Sequence, residues 1–396
     1  MKRILYCESC SDGTAGGSHQ ALFDSIRLQD PKEFGAIVVF YEENRFVQPL
    51  RDLGAAVHIW SEAHSSERED ASASSFIRKG VGLLRSILRR RRFLRSQRVD
   101  LVHLNNSPHF GYDDWLPAAR SLGIPCIVNV MGGPYEQPAG RIQRYWARKF
   151  DRYVCISRHV YQEIESAGFP KDRLEEVQLG IDLDAFRKRV RRNAATVRSE
   201  LDIRENQTLI AMVGNLQPWK GHGVVVSAVE KLPPEERKQL CILFIGAIRD
   251  EDQNHVSAIR ERIRNAHLQS SIRFLGSRGD VPDLLNAADL QLHASTFPEP
   301  FGLVLIEGLC LGTPLIAASL GGPQEILTPE TGTLFDPARP EQLTKILSDH
   351  LRFPEKRRAM ASVGPERARQ FEAQSMAEGH AAIYRALLNP QAQGPA

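Results

Sequence analysis

The chain has 396 residues, 42% hydrophobic and 25% charged, a composition that fits a soluble globular protein long enough for two domains of ordinary size. A net charge of +3 gives no general reason to bind nucleic acid. No stretch approaches the roughly 20 apolar residues that span a bilayer, and Met1–Glu8 has too short an apolar run for a signal peptide. The chain is therefore expected in the cytoplasm.

Short apolar runs alternate with amphipathic segments, the pattern of βα units around a parallel sheet. In the first half, strands are expected at Arg3–Cys7, Ala36–Phe40, Val57–Trp60, Leu101–Leu104, Cys126–Val130 and Tyr153–Ile156. In the second half they are expected at Leu209–Val213, Cys241–Ile245, Ile272–Leu275, Leu290–His293 and Pro314–Ala317. Between the two sets runs the polar, very basic stretch Phe186–Arg198. This gives a first domain over 1–187, a basic linker over 188–205, a second domain over 206–372, and a C-terminal helix and tail over 373–396. The end, Asn389–Ala396, reads as disordered. Six cysteines are scattered, and the single C-x-x-C pair, Cys7 and Cys10, lacks the second pair that a four-ligand zinc site needs.

Charge is uneven along the chain. Residues 1–190 hold 28 Lys/Arg against 24 Asp/Glu, and the remainder 23 against 24. Much of the excess lies in Ser75–Arg98, which carries nine basic residues, including the run Arg89–Arg92. Leu83, Leu84, Ile87, Leu88 and Leu94 fall near helical spacing there. The segment reads as a helix with a solvated basic face, or as a surface for anionic lipid or an anionic acceptor. Only Phe76 and Phe93 are available for base stacking, so nucleic acid is not expected.

Three segments can carry chemistry. In Phe297-Pro298-Glu299-Pro300-Phe301-Gly302-Leu303-Val304-Leu305-Ile306-Glu307, Pro300 suits the first turn of a helix running from about Phe301 to Leu311 and capped by Gly312. The helix N-terminus offers unpaired N–H groups and a positive dipole end, a natural phosphate site. Glu299 and Glu307 would stand about 12 Å apart along a helix. The acid/base pair of a glycoside hydrolase stands about 5 to 9.5 Å apart, so the spacing suits two groups gripping different parts of a long ligand.

The second segment, Val213-Gly214-Asn215-Leu216-Gln217-Pro218-Trp219-Lys220-Gly221-His222, follows a strand and precedes a helix. Lys220 falls at the sheet edge where open α/β folds bind ligands, placed to neutralise a diphosphate. The third, Gly13-Thr14-Ala15-Gly16-Gly17-Ser18, lacks the dinucleotide fingerprint, but its backbone can approach a diphosphate closely.

Together these resemble the family-four glycosyltransferases, over nearly the whole chain and most densely from Leu209 to Pro337. The matching elements include Gly16-Gly17, Asp151–Ser157, Gly180-Ile181-Asp182, Trp219-Lys220-Gly221, Phe274-Leu275-Gly276 and Ala287-Ala288-Asp289. They continue with Glu299 and Glu307 at E-x7-E spacing, Gly312-Thr313-Pro314, Gly321–Ile326 and Thr331–Phe335. The resemblance implies an α/β fold of two facing Rossmann-like domains with parallel sheets and a cleft between them (the GT-B type). It implies retaining transfer from a UDP- or GDP-linked sugar, the first domain facing the acceptor and the second the donor.

It also implies roles. Glu299 would hold the donor sugar, Glu307 the ribose, and Lys220 the leaving diphosphate, with Gly16 and Gly17 approaching it. Phe301, Gly302 and Leu303 would offer backbone N–H groups, and Ser277 and Arg278 would lie near the base. Asn215 stands where the family usually has Arg, and Met131 where it often has a sugar-contacting His, for which His103 or His109 could compensate. Asp182-Leu183-Asp184 and Asp250-Glu251-Asp252 spell Asp-x-Asp, but neither ends a strand beside these residues, so no metal or other cofactor is expected.

The expected partners are a nucleotide-sugar donor and a glycan or glycolipid acceptor, with peripheral contact to anionic membrane through Ser75–Arg98. Cell-surface polysaccharide, lipopolysaccharide or glycolipid synthesis would supply such an acceptor. The competing readings are a nucleotide-sugar binding module impaired in catalysis, favoured by Asn215 and Met131, a nucleotide-sugar epimerase, and a basic nucleic-acid-binding protein.

Overall fold

The computed structural model describes residues 1–8, 16–60, 73–105, 114–132 and 145–389, with 73–80 as backbone only. Cys10, residues 13–15 of the first glycine-rich loop, His109 and the tail after Asn389 lie outside them. The chain forms two compact units, Ile181–Glu372 and Met1–Gly180 together with the segment from Ala373 onward.

The first unit holds a seven-stranded sheet of β1 (Lys2–Glu8), β2 (Phe34–Phe40), β3 (Ala56–Ile59), β4 (Leu101–Asn105), β5 (Cys126–Val130), β6 (Arg152–Cys155) and β7 (Leu174–Glu176). The order is β3-β2-β1-β4-β5-β6-β7 and every ladder is parallel. Parallel strands need crossover helices, which cover both faces and leave the strands apolar on both sides. Ile4, Leu5, Val102, Leu104, Ile127 and Val128 are accordingly all buried.

The second unit holds a six-stranded sheet of β8 (Thr208–Val213), β9 (Leu240–Ile245), β10 (Ile272–Gly276), β11 (Leu290–His293), β12 (Leu315–Ala318) and β13 (Gly332–Phe335), again all parallel. Its order, β10-β9-β8-β11-β12-β13, repeats the logic of the first sheet. Ile210, Ile242, Phe244, Leu292 and Ile316 pack against Val225 and Val229 of the helix His222–Glu230 to form its core.

Each sheet has one topological switch point, where the strand order reverses and loops diverge at the carboxyl ends to leave a ligand crevice. It falls between β1 and β4 in the first unit and between β8 and β11 in the second.

The units divide elsewhere than a linker over 188–205 would place them. The chain passes into the second unit at Ile181, and the basic stretch is folded onto that unit. The backbone N–H groups of Arg191 and Arg192 donate to Asp283 at 2.6 and 3.1 Å. Arg192 also pairs with Asp280 and Glu200, and Arg198 reaches Asp289 at 2.9 Å. Arg192 and Arg198 are thus matched by carboxylates of the second unit. At the other end the helix Ala373–Leu388 belongs to the first unit, where His380 meets Ser25 at 2.8 Å and Tyr384 meets His103 at 2.6 Å.

The basic segment is helical from Ala73 to Ser96. Leu94 is buried and Arg90 lies 5.3 Å from the Trp60 ring and 5.2 Å from Trp115, pairing with Asp114 at 3.4 Å. Val81, Leu83, Leu84 and Leu88 remain exposed beside Arg85, Arg89, Arg92 and Arg95. The helix therefore packs through Arg90 and Leu94 in its C-terminal half, whereas Val81, Leu83 and Leu84 do not join the core. Among the described residues no helix is long and apolar enough to cross a membrane.

Candidate active site

The loops leaving β8 and β11 meet at the switch point of the second unit. After β8, Gln217 precedes a single 3-10 turn, Pro218–Lys220, and Gly221 then takes φ 79° to start the helix His222–Glu230. A side chain at Gly221 would strike the Ala294 carbonyl, so glycine is required both by its left-handed backbone and by close approach. Thr296 N–H donates to the Trp219 carbonyl at 2.7 Å and ties the two loops together. The Lys220 ammonium lies 3.8 Å from the centre of the Trp219 ring, a cation–π contact that fixes its approach.

Lys220 Nζ donates to Glu299 Oε2 at 2.7 Å. His293 Nε2, at the carboxyl end of β11, lies 3.0 Å from the same oxygen, and Ser295 Oγ donates to it at 3.2 Å. All these contacts end on Oε2, which leaves Oε1 without a partner among the described residues. Burial works against the charge on Glu299, but the hydrogen bond with His293 and the positive charge of Lys220 outweigh it. The carboxyl is held well below the usual carboxylate range. Such a group stays ionised at neutral pH, which suits it to orient hydroxyls rather than to donate a proton.

Glu299 is not on the helix that follows. It forms an isolated bridge with Gly321, and the helix begins at Leu303 behind Gly302, whose φ of 109° breaks the chain direction. The separation of about 12 Å expected for a continuous helix between the two glutamates therefore does not apply. Phe301 is buried edge-on against Phe371, 5.9 Å between ring centres, and anchors the turn. Leu303 opens the helix, and the Leu305 N–H already turns back to the Gly302 carbonyl at 2.9 Å, so the N–H groups left at the N-terminus are those that precede it. The helix ends at Gly312 with φ 72°, as the sequence suggests.

Glu307, half-buried on this helix, has no hydrogen-bond partner among the described residues. Burial pushes its carboxyl up to about 7 against the opposing pull of Arg189. A carboxyl that meets no internal donor and is strained by desolvation is prepared to accept from hydroxyls of a ligand.

The remaining predicted residues are placed as follows. The side chain of Asn215 accepts from Ala247 N–H at 3.3 Å and braces the loop after β9 instead of adding to the charge at Lys220. Arg278 is exposed and forms two bonds to Asp280, at 2.7 and 2.6 Å, and Ser277 is exposed beside it on the loop after β10. Gly16 and Gly17 lie exposed at the start of the helix Gly17–Arg27 of the first unit. A Cβ at Gly16 would meet nothing within 4 Å, and its φ of −95° is open to any residue, so the fold itself makes no demand for glycine there. His103 is spent on the C-terminal helix, bonded to Tyr384.

Several quoted motif residues turn out to be caps and braces. Asp182 caps the helix Leu183–Arg187 and Asp184 pairs with Arg187 at 3.2 Å. Ser157 caps the helix Arg158–Ser166, and Asp289 accepts from Leu209 N–H at 2.7 Å. His293 and Ser295 are the site residues that sequence reasoning missed. The available signal was a polar His-x-Ser at the carboxyl end of the alternating strand Leu290–His293, beside the lysine loop.

Two family models match the chain. Residues 45–185 match "Glycosyltransferase Family 4" and residues 193–367 match "Glycosyl transferases group 1". A D-inositol 3-phosphate glycosyltransferase of Rhodococcus opacus is 30% identical over 274 residues, 67% of this chain and 60% of its own length. The chain thus spans about 60% of the length of such curated relatives. Among solved structures, Anabaena Alr3699/HepE in complex with UDP and glucose superposes with a TM-score of 0.79 at 21% identity, covering 98% of this chain and all of that one. A glycosyltransferase from Rickettsia africae does so with a TM-score of 0.80 at 19% identity, covering 98% and 99%. Both likenesses establish the two-domain Rossmann-like fold.

Proposed function

The chain belongs to the family-four glycosyltransferases, and from that premise we propose that it moves a sugar from a UDP- or GDP-linked donor to an acceptor hydroxyl, with retention at the anomeric carbon. The observation that carries this reading is the convergence of Lys220, His293 and Ser295 on one oxygen of Glu299 at the switch point, beside the helix that bears Glu307. Glu299 Oε1 holds a hydroxyl of the donor sugar. Lys220 and the N-terminal N–H groups near Gly302 and Leu303 balance the negative charge that grows on the departing diphosphate. Glu307 accepts from the ribose hydroxyls, Ser277 and Arg278 border the base, and Gly16 and Gly17 let backbone approach the diphosphate.

No metal or other cofactor enters this scheme. The fixed positive groups do the work of charge neutralisation. The acceptor is an anionic glycan or glycolipid, and the exposed Val81, Leu84 and Leu88 among arginines rest on anionic lipid at the inner face of the membrane. Cell-surface polysaccharide or lipopolysaccharide synthesis fits such an acceptor. The phosphorylated inositol named for the relatives is a first candidate of the same charge.

A binding module impaired in catalysis is the second reading. It is favoured by Asn215, which holds Ala247 where a second positive charge would be expected. A screen of thermal stabilisation and slow nucleotide release against UDP, GDP, ADP and their common sugars separates the two. Stabilisation with release supports the transferase, stabilisation without release supports the module or a transferase that requires its acceptor, and no stabilisation removes Lys220, Glu299 and Glu307 from a donor site.

A further inference from the structure

The switch point of the first sheet carries a buried polar row. Glu8 at the end of β1 and Asn105 at the end of β4 are register partners. Asn105 Nδ2 donates to Glu8 Oε2 at 2.7 Å and to the Ser18 carbonyl at 3.2 Å, and Asn129 Nδ2 of β5 donates to Asn105 Oδ1 at 2.9 Å. Glu8 and Asn105 are fully buried and Asn129 is 4% exposed. Polar groups so deep in a parallel sheet cost free energy unless each bond is made, and an apolar row would hold the strands as well. The row must therefore serve something other than strand cohesion.

What it grips is the first turn of the helix Gly17–Arg27. The bond from Asn105 to the Ser18 carbonyl ties that turn to the C-terminal rim of the sheet, directly under the exposed Gly16 and Gly17. Glu8 fixes the rotamer of Asn105 from one side and Asn129 from the other. Asn129 lies two residues before Met131, so the same row reaches the carboxyl end of β5.

We propose that Glu8 and Asn105 are positioning residues, which act through the Ser18 carbonyl to hold the Gly16–Gly17 backbone in the geometry that turnover requires. The proposal rests on the reading that these glycines meet the donor diphosphate. The expected signature is a loss in kcat that follows the hydrogen bond and not the charge. Glu8→Gln keeps an oxygen that accepts from Asn105, whereas Glu8→Leu keeps only bulk. Asn105→Leu keeps bulk but has no proton to give Glu8 or Ser18.

The test measures UDP release from UDP-glucose, GDP release from GDP-mannose, the affinity for free UDP and GDP, and Tm, in the full chain. Glu8→Leu and Asn105→Leu are expected to lose about ten- to a hundredfold in kcat, with nucleotide affinity changed less than about threefold and Glu8→Gln close to wild type. A folded Glu8→Leu with wild-type kcat overturns the proposal, as does a Glu8→Gln as damaged as Glu8→Leu, which would make the charge itself the active feature. If Glu8→Leu does not fold, Asn105→Ser, which leaves room for water beside Glu8, carries the same comparison. Wild-type protein that binds and turns over neither donor defeats the donor reading and this proposal with it, whereas a turning-over wild type with unaffected variants defeats this proposal alone.

Discussion

Lys220 Nζ and Glu299 Oε2 stand 2.7 Å apart, both largely shielded from solvent, with 18% and 13% of their side chains exposed. The pair joins the loop after β8 to the loop after β11 across the point where the sheet order reverses. A diphosphate arriving there competes with Glu299 for the ammonium, and a sugar hydroxyl competes with Lys220 for the carboxylate. The pair is therefore both a brace and a charge held in the place where a ligand needs it.

Lys220→Ala should lower turnover by about a hundred- to a thousandfold, the range seen when one preorganised donor to a developing negative charge is removed. The stability cost should stay below about 3 kcal/mol, because His293 and Ser295 still hold the carboxylate. Turnover and Tm measured on the same preparation check this. A variant near wild-type activity would take Lys220 out of the site.

His293 and Lys220 act on one oxygen, so their removal should not be additive. His293→Ala alone is expected to cost about tenfold or more in kcat through loss of Glu299 orientation. The double variant should lose less than the product of the single losses, since either change already disturbs the same carboxylate oxygen. A double-mutant cycle on kcat measures the coupling, and strict additivity would mean that His293 does not act through Glu299.

Much of this arrangement was legible in the residues. Apolar runs located eleven strands because parallel strands buried on both faces write themselves as continuous hydrophobic sequence. The two strands not foreseen, β7 (Leu174–Glu176) and β13 (Gly332–Phe335), are short edge strands paired on one side only. One ends in two glutamates and the other holds a half-exposed Leu334, so neither carries a hydrophobic signature. Lys220, Glu299 and Gly302 were legible from glycine, proline and charge at loop positions. His293 was not, because a histidine ending a short buried strand looks like core until the neighbouring strand is known, and that neighbour is set by topology rather than sequence proximity. The division at Ile181 was hidden for a related reason: a basic stretch reads as linker until the carboxylates Asp280, Asp283 and Asp289, about ninety residues on, are brought against it.

Glu307 gives opposite effects on folding and binding. Its folded carboxyl titrates near 7 against a usual value of 4.5, so the folded state holds its proton more tightly than the unfolded chain. That contribution is present at low pH and is lost as pH rises through about 7. Glu307→Gln should then raise Tm of the nucleotide-free protein at pH 8 while weakening nucleotide binding. In the wild type, nucleotide affinity should fall as pH drops below about 7, because the protonated carboxyl accepts poorly from two hydroxyls. In Glu307→Gln that pH dependence should flatten, and titration calorimetry from pH 5.5 to 8.5 reads both.

Gly16→Ala isolates ligand approach from folding. The added methyl meets nothing within 4 Å and the backbone needs no positive φ, so Tm should not fall, and a stiffer unfolded chain should add at most about 0.4–1 kcal/mol of stability. Turnover should nevertheless drop by about tenfold or more if backbone at this point approaches a phosphate. Unchanged kinetics would show that the exposed glycine serves no ligand.

The first unit should respond to acid in the sense opposite to Glu307. His103 is buried and bonded to Tyr384, its ring 5.1 Å from that of His380, which in turn meets Ser25. Burial lowers the pKa of His103 from 6.5 to about 4, and burial together with the neighbouring His103 holds that of His380 well below its usual value. The unfolded chain therefore binds protons below about pH 6.5 that the folded unit refuses. Stability from this cluster is full above pH 6.5 and falls as pH drops towards 4. The C-terminal helix Ala373–Leu388 is the element these rings hold, so it should be the first to gain hydrogen-exchange and protease sensitivity at pH 5. His380→Gln, which retains a polar partner for Ser25 but cannot titrate, should shift this onset to lower pH. If the helix opens at the same pH in both proteins, the histidine pair is not what releases it.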